Sequence, residues 1–371
     1  MAETKPRKTK AKTGKKAKAA PAPANAGLCC WPSGPGVKCI NLALQGGGAH
    51  GAFTWGVLDR LLEDERIAIE GITGTSAGAV NGAVLAYGLT SGGRETAREL
   101  LASLWRKVAQ AAALTPLQPT AFDRMLGLGR MDFSPGYWML DMMSRVLSPY
   151  QFNVLELNPL RDILDELIDF DALRRCTDIK LFVGATDIKR TRVKIFELPE
   201  ISRDAILASA CLPFLHQAVE IDGEAYWDGG YMGNPAIYPL IYHTHTRDVL
   251  LVQINPVNHE DVPRTAQEII DRLNTLTFNA TLMREMRAIH FVTQLIDQGF
   301  DDGGRLKRLL VHVIDAEDVM RELGASSKLN ADWAFLEHLH AIGRARADQW
   351  LAAHHDAIGE RSTADIQAMY L

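Results

Sequence analysis

The sequence predicts an α/β protein with a mostly parallel central sheet and helices on both faces, and three observations carry that prediction. Short apolar, β-branched runs recur at 37–45, 69–73, 179–186, 193–197, 249–254 and 309–314, several of them separated by helical stretches. The first two runs each end in a glycine-rich turn that opens a helix: Gly46-Gly47-Gly48-Ala49-His50-Gly51 and Gly74-Thr75-Ser76-Ala77-Gly78. Asp222-Gly223, between the strand-like stretches 217–221 and 224–227, is the residue pair expected in a type I′ hairpin turn.

The elements follow in order. The folded part is expected to begin near Val37, after Pro32, Gly34, Pro35 and Gly36. Helices are expected over 51–62 and 77–89, the second rich in small residues that allow close packing on a sheet. Residues 92–156 are helical in composition but broken by Pro116, Pro119, Gly127, Gly129, Pro135 and Gly136. This insertion carries Trp105, Phe122, Met125, Met131, Phe133, Trp138 and Met142, so two readings stand: a lid or lipid-facing surface, or an ordinary helical layer. Asn158 as cap, Pro159 at the first position and a stripe of Leu160, Ile163, Leu164, Leu167 and Ile168 define the next helix. The C-terminal third shows helical stripes, one including Leu282, Met286 and Ile289 and the other Trp333, Leu336, Leu339 and Trp350, read as core-facing. The organisation expected is a basic, Pro/Ala-rich disordered tail (1–36), a main α/β domain (37–255), and a mainly helical extension (256–371) packed on it.

Charge divides the chain unevenly. Of its 371 residues and net charge of −5, residues 1–18 hold eight Lys or Arg against Glu3 alone, which leaves −12 on the remainder. Such a tail has almost nothing to bury. It reads either as a solvated solubilising segment or as one that adheres to an anionic surface; peripheral contact with an anionic membrane is the partner it suggests, and nucleic acid is not expected. Five cysteines without C-x-x-C spacing suggest a reduced, cytoplasmic setting. No apolar run reaches the length of a spanning helix, and none follows the basic segment as a secretory signal would require.

The chemistry lies in the two turns. Glycines let backbone N–H groups approach an anion, and a following helix N-terminus adds positive potential. The G-x-S-x-G turn lifts Ser76 onto a strained bend where its hydroxyl can attack an acyl carbon. Taken alone, residues 46–51 also satisfy the G-x-G-x-x-G dinucleotide fingerprint, with Glu70 near the place of a ribose-binding carboxylate. That rival gives the second turn no role. A serine nucleophile needs a base, and two candidates arise: Asp228 in Asp228-Gly229-Gly230, or a histidine such as His216 or His312. By itself Asp-Gly-Gly is commonly just a turn.

Residues 46–51, 74–78 and 228–230, in that order, together resemble the patatin-like phospholipase family. Ala208-Ser209-Ala210-Cys211-Leu212-Pro213 and Gly233-Asn234-Pro235 add to the resemblance, which spans about 37–251. It implies a three-layer α/β fold and hydrolysis of acyl esters in lipids without metal or organic cofactor. It implies Ser76 as nucleophile, Asp228 as base and an oxyanion loop at Gly46, Gly47 and Gly48, with Gly51, Gly74, Gly78, Gly229 and Gly230 supporting. One departure is His50, where many relatives carry Arg, so this position is not expected to be catalytic. Three alternatives remain beside the lipid acyl hydrolase: an esterase on another acyl substrate, a nucleotide-binding oxidoreductase, and a catalytically silent lipid-binding protein.

Overall fold

The protein is described by a computed structural model covering residues 36–126, 129–259, 261–300 and 303–371. The basic tail, but for its last residue, lies outside the described residues. Eight strands form one sheet: β1 (Lys38–Leu44), β2 (Ile67–Thr75), β3 (Lys180–Asp187), β4 (Arg192–Glu197), β5 (Val219–Ile221), β6 (Glu224–Asp228), β7 (Asp248–Val252) and β8 (Leu310–Ile314). The order runs β5-β6-β3-β2-β1-β7-β8, with β4 beside β3. The five strands β8, β7, β1, β2 and β3 are mutually parallel. β4 and β6 pair antiparallel with β3, and β5 pairs antiparallel with β6. The mostly parallel sheet is therefore as expected, and each strand-like run of the sequence lies in it.

Register at β3 decides where the site forms. β2 pairs with β3 from Gly71↔Lys180 to Thr75↔Gly184, and β6 begins on the next residue, Ala185↔Asp228. β4 pairs with Phe182–Asp187 and so occupies the opposite edge of β3. β6 consequently continues the edge on which β2 stops. The end of β2 and the end of β6 meet there, which brings residues far apart in sequence to adjacent positions on one template.

The two faces bury separate cores, as alternation along strands requires. Leu42, Leu44, Leu250 and Val252 face the larger cluster, with helix α1 (Gly51–Glu63), helix α2 (Ala77–Ala113) and the helix Trp333–His354. Ala43, Val249 and Leu251 face the other, with Leu282, Met286 and Ile289 of the helix Ala266–Asp297. The expected stripes of both C-terminal helices are thus buried. Helix Trp333–His354 crosses α1 very closely: a Cβ on Gly343 would stand 2.1 Å from Phe53 O, and one on Gly56 would stand 2.0 Å from His340 O.

Local signals behave as their chemistry demands. The Asn158 side chain accepts from Leu160 N, Pro159 takes the first turn, and Ile163, Leu164 and Leu167 are buried. Asp222 and Gly223 both have positive φ, 53° and 77°, as a type I′ turn needs. α2 runs beyond its expected end because Gly93, at φ 88°, joins two helical pieces across a kink. In the insertion, Trp105 and Met131 are core residues, whereas Met125, Trp138, Met142, Val154 and Leu155 are more than half exposed. Cys176 and Cys211 are free thiols; Cys39 is disulfide-bonded and so departs from the expectation of a reduced chain.

Candidate active site

Ser76 closes β2 and precedes α2 at φ 54°, ψ −124°, a left-handed conformation that a residue with a side chain adopts at a cost of about 1–3 kcal/mol. Close packing over-determines the bend. A Cβ on Gly78 would stand 2.1 Å from Leu44 O, and one on Gly74 would stand 2.5 Å from Gly78 O. Ser76 N donates to Ser209 Oγ at 2.9 Å, and that hydroxyl donates to Gly184 O at 2.6 Å, tying the elbow to β3. The helix beyond is fixed by Asn81, which donates to Gly51 O at 3.1 Å and accepts from Trp105 Nε1 at 3.1 Å.

The Gly46–Gly48 turn passes directly over the serine. A Cβ on Gly46 would stand 2.7 Å from Ser76 Cβ, so the loop can approach only as glycine. Gly46 N donates to Asn234 Oδ1 at 2.7 Å, and Gly46 O accepts from Asn255 Nδ2 at 2.8 Å. Gln45 Oε1 in turn accepts from Ile254 N and Asn255 N, both at 2.8 Å. Gly48 has φ +60°, and a Cβ there would stand 2.4 Å from Lys328 O. The amides of Gly47 and Gly48 make no protein hydrogen bond among the described residues. Gly51 begins α1 against Ala77.

Asp228 ends β6 and is fully buried. Its Oδ1 accepts from Gly230 N at 2.7 Å; its amide donates to Cys211 O at 2.8 Å, and its carbonyl accepts from Thr186 Oγ1 at 2.8 Å. Gly229 packs on Gly184 O, where a Cβ would stand at 2.1 Å, and Phe278 covers Gly230. The Ser76 hydroxyl interacts with the Asp228 carboxylate and favours its charged form, while Oδ2 makes a hydrogen bond of ordinary geometry with no partner among the described residues. Burial raises the carboxyl to about 7, against the opposing influence of the Gly230 amide, Ser76 and the Lys328 ammonium.

The remaining candidates fall elsewhere or are inert. Burial, then the Lys328 charge, holds His50 down at about 3, so it is a neutral imidazole. Ser327 Oγ donates its one proton to Gly324 O, so His50 Nε2, 2.7 Å away, is the donor of that pair. His312 is buried between Asp248 and Thr363, both at 3.0 Å, on the far side of β7 from β2. Burial lowers His216, with no charged partner contributing. The Glu70 carboxylate, read alternatively as a ribose ligand, accepts from His245 N at 2.7 Å and Thr246 N at 2.8 Å and is inaccessible. The dinucleotide reading fails on that residue. Cys211, beside Asp228, is pushed up to about 12 chiefly by burial and stays a thiol.

The site therefore places a strained, glycine-flanked serine, a glycine loop with two uncommitted amides and a buried carboxyl at one end of an α/β sheet. Residues 42–241, more than half of the chain, match the family model for patatin-like phospholipase. The chain belongs to the patatin-like phospholipase family and is a lipid acyl hydrolase. Solved structures similar to it include VipD from Legionella pneumophila, 16% identical over 82% of this chain and 68% of that one, with a TM-score of 0.33. The type III effector protein ExoU is 16% identical over 88% of this chain, with a TM-score of 0.27, and this chain covers 61% of it. No curated protein matches the sequence.

Several residues of this arrangement gave no signal in the sequence. Gln45, Asn255 and Lys328 are ordinary polar residues in sequence and become site components only through contacts across about 70 to 210 positions. Asn234 and Ser209 lie in stretches that carried the family resemblance, though with no role attached to them. Among the described residues no helix is long and apolar enough to cross a membrane, and no group of His, Cys, Asp and Glu is arranged to hold a metal.

Proposed function

We propose that the enzyme cleaves carboxylic ester bonds of phospholipids or related lipids through a Ser76–Asp228 dyad. The observation that carries this reading is the adjacency of Thr75 and Asp228 on consecutive residues of β3, which faces the strained serine toward a buried carboxylate with an unpartnered oxygen. Ionised Asp228 accepts the Ser76 proton as Oγ bonds to the acyl carbon. The developing oxyanion is received by the Gly47 and Gly48 amides and the N-terminus of α2; the Gly46 amide, already given to Asn234, shapes the loop. Asp228 then returns its proton to the departing alcohol. Water, deprotonated by the same carboxylate, hydrolyses the acyl-Ser76 ester, so no external co-reactant is needed.

Partial exposure of Trp138, Met139, Met142 and Tyr150 in the insertion supports a lipid-facing role for it, with the basic tail adding attraction to an anionic membrane. A fluorophosphonate probe tests the core of the proposal. Labelling at Ser76, loss of labelling and of turnover in Ser76→Ala, and an unchanged melting temperature are expected. Retained turnover in a folded Ser76→Ala protein overturns it.

A further inference from the structure

The segment Ala325–Leu329 lies outside the family-matched residues 42–241, yet it joins both halves of the site. On one side, Lys328 O seats Gly48, and Ser327 Oγ accepts from His50. On the other, Lys328 Nζ donates to Asn255 Oδ1 at 2.8 Å, and Asn255 Nδ2 holds Gly46 O. The same ammonium lies 5.8 Å from the centre of the Phe278 ring, the ring that covers Gly230 next to Asp228. Lys328 is thus the cation located where the glycine loop and the Asp228 turn meet.

We propose that Lys328 is a positioning residue of the Ser76–Asp228 site: set between the glycine loop and the Asp228 turn, its ammonium favours the ionised form of Asp228 that accepts the serine proton. The inference rests on the dyad reading and supplies what that reading lacks, a compensating charge for a carboxylate that burial would otherwise neutralise. Among the described residues, the titratable groups facing this pair are few. Ser76, Cys211 and Tyr231 lie about Asp228, while His50, Asp228 and Asp271 of the helix Ala266–Asp297 lie about Lys328. Burial keeps Cys211 and Tyr231 protonated and His50 neutral near neutral pH, so the charges in play are Asp228, Lys328 and Asp271. Burial lowers Lys328 itself to about 8, with both aspartates opposing, so the cation persists through the range where Asp228 titrates.

The test is the pH profile of kcat/KM on a soluble short-chain ester, which removes membrane binding from the readout. Lys328→Gln can keep the hydrogen bond to Asn255 without the charge, Lys328→Met removes both, and Lys328→Arg keeps the charge. The acid limb of both neutral variants is expected to move up by about one pH unit, with the arginine variant close to the parent. At pH 6.5 this appears as a loss of several-fold in kcat, with KM little changed. An unmoved limb in folded neutral variants overturns the proposal. A parallel assay on anionic phospholipid vesicles adds a second check: a rise in KM seen there and not on the soluble ester would make Lys328 a headgroup ligand and overturns the proposal too. Loss of fold in both neutral variants, with the arginine variant intact, assigns a structural role and equally overturns it. Ser76→Ala, assayed in parallel, reports separately on the dyad.

Discussion

Two carboxyl groups of this sheet, Glu70 near the start of β2 and Asp228 beside its end, are fully inaccessible to solvent. Burial pushes each toward the protonated form. At Glu70 that push is overcome by the Thr246 and His245 amides, the His245 ring and the Lys180 charge, and the carboxyl ends below its ordinary value. At Asp228 one amide, the Ser76 hydroxyl and a nearby ammonium do not suffice, and it ends near 7. Two things differ: Glu70 accepts three hydrogen bonds from His245 and Thr246 where Asp228 accepts one, and Asp228 lies deeper among protein atoms. A satisfied carboxylate stiffens the fold, whereas an under-satisfied one is held at a cost and is poised to exchange a proton at neutral pH.

The largest effect should come from removing the proton acceptor. Asp228→Asn is expected to lower turnover at least about a thousandfold, on the scale of losing a general base. The same change should stabilise the protein above neutrality. Because the folded-state value is raised, stability is undiminished below about pH 4, falls as the unfolded chain alone ionises, and carries its full penalty above about pH 7. That penalty is at most about 4 kcal/mol, and the amide escapes it. Melting curves at pH 5 and pH 8 check the sign: a variant both inactive and less stable at pH 8 would show that Asp228 is structural, as Glu70 is.

The pH profile of the parent enzyme sharpens the same contrast. Activity is expected to rise with pH to a half-maximum near pH 7, set by Asp228, rather than near pH 4 as for an ordinary aspartate. Single-turnover acylation of Ser76 by a soluble ester measures that midpoint without a contribution from deacylation. A midpoint near pH 4 would mean that water reaches Asp228 and that burial does not set its behaviour.

Glu70→Gln should do the reverse of the Asp228 change. Its lowered value means that its contribution is present above about pH 4.5 and is lost as pH falls through the folded-state value. Replacing it should cost about 1–3 kcal/mol at pH 7 in chemical denaturation, through three weakened charge-assisted hydrogen bonds, and leave kcat within about twofold. A drop in kcat as large as that of Asp228→Asn would break the distinction.

What the sequence shows of these two places differs for a physical reason. The elbow and the loop are local: Gly46, Gly74 and Gly78 are demanded by backbone atoms within a few residues or on the next strand, so their spacing is written in consecutive letters. Asp228 was legible because a hairpin turn and a glycine pair mark the end of its strand. Glu70 fits a rival ribose-ligand reading in the sequence because its true partners, His245 and Thr246, lie 175 and 176 positions away and no spacing announces them. Lys328 escaped for the same reason, since its segment looks like any turn until the fold lays it against Gly48. The edge reversal at β3, with β6 continuing where β2 stops, belongs to register, and no single run of residues encodes it.

The smallest expected effect on catalysis completes the comparison by asking about a buried histidine instead of a carboxyl. His312 forms with Asp248 a pair that resembles two members of a hydrolytic triad, at 3.0 Å. Its other nitrogen is spent on Thr363 Oγ1 at 3.0 Å, and the Asp248 oxygen also accepts from Gly359 N at 2.8 Å. The imidazole is fully buried on β8, separated from β2 by two intervening strands in the sheet order, so it has neither a free lone pair nor a path to Ser76. His312→Gln should therefore cost about 1–2 kcal/mol of stability by weakening these bonds and leave kcat within about twofold. Turnover on a soluble ester, measured beside a denaturation curve, decides the point. If that single replacement silences the enzyme while it remains folded, the proton goes to an imidazole, and the serine–aspartate dyad gives way to a serine–histidine mechanism.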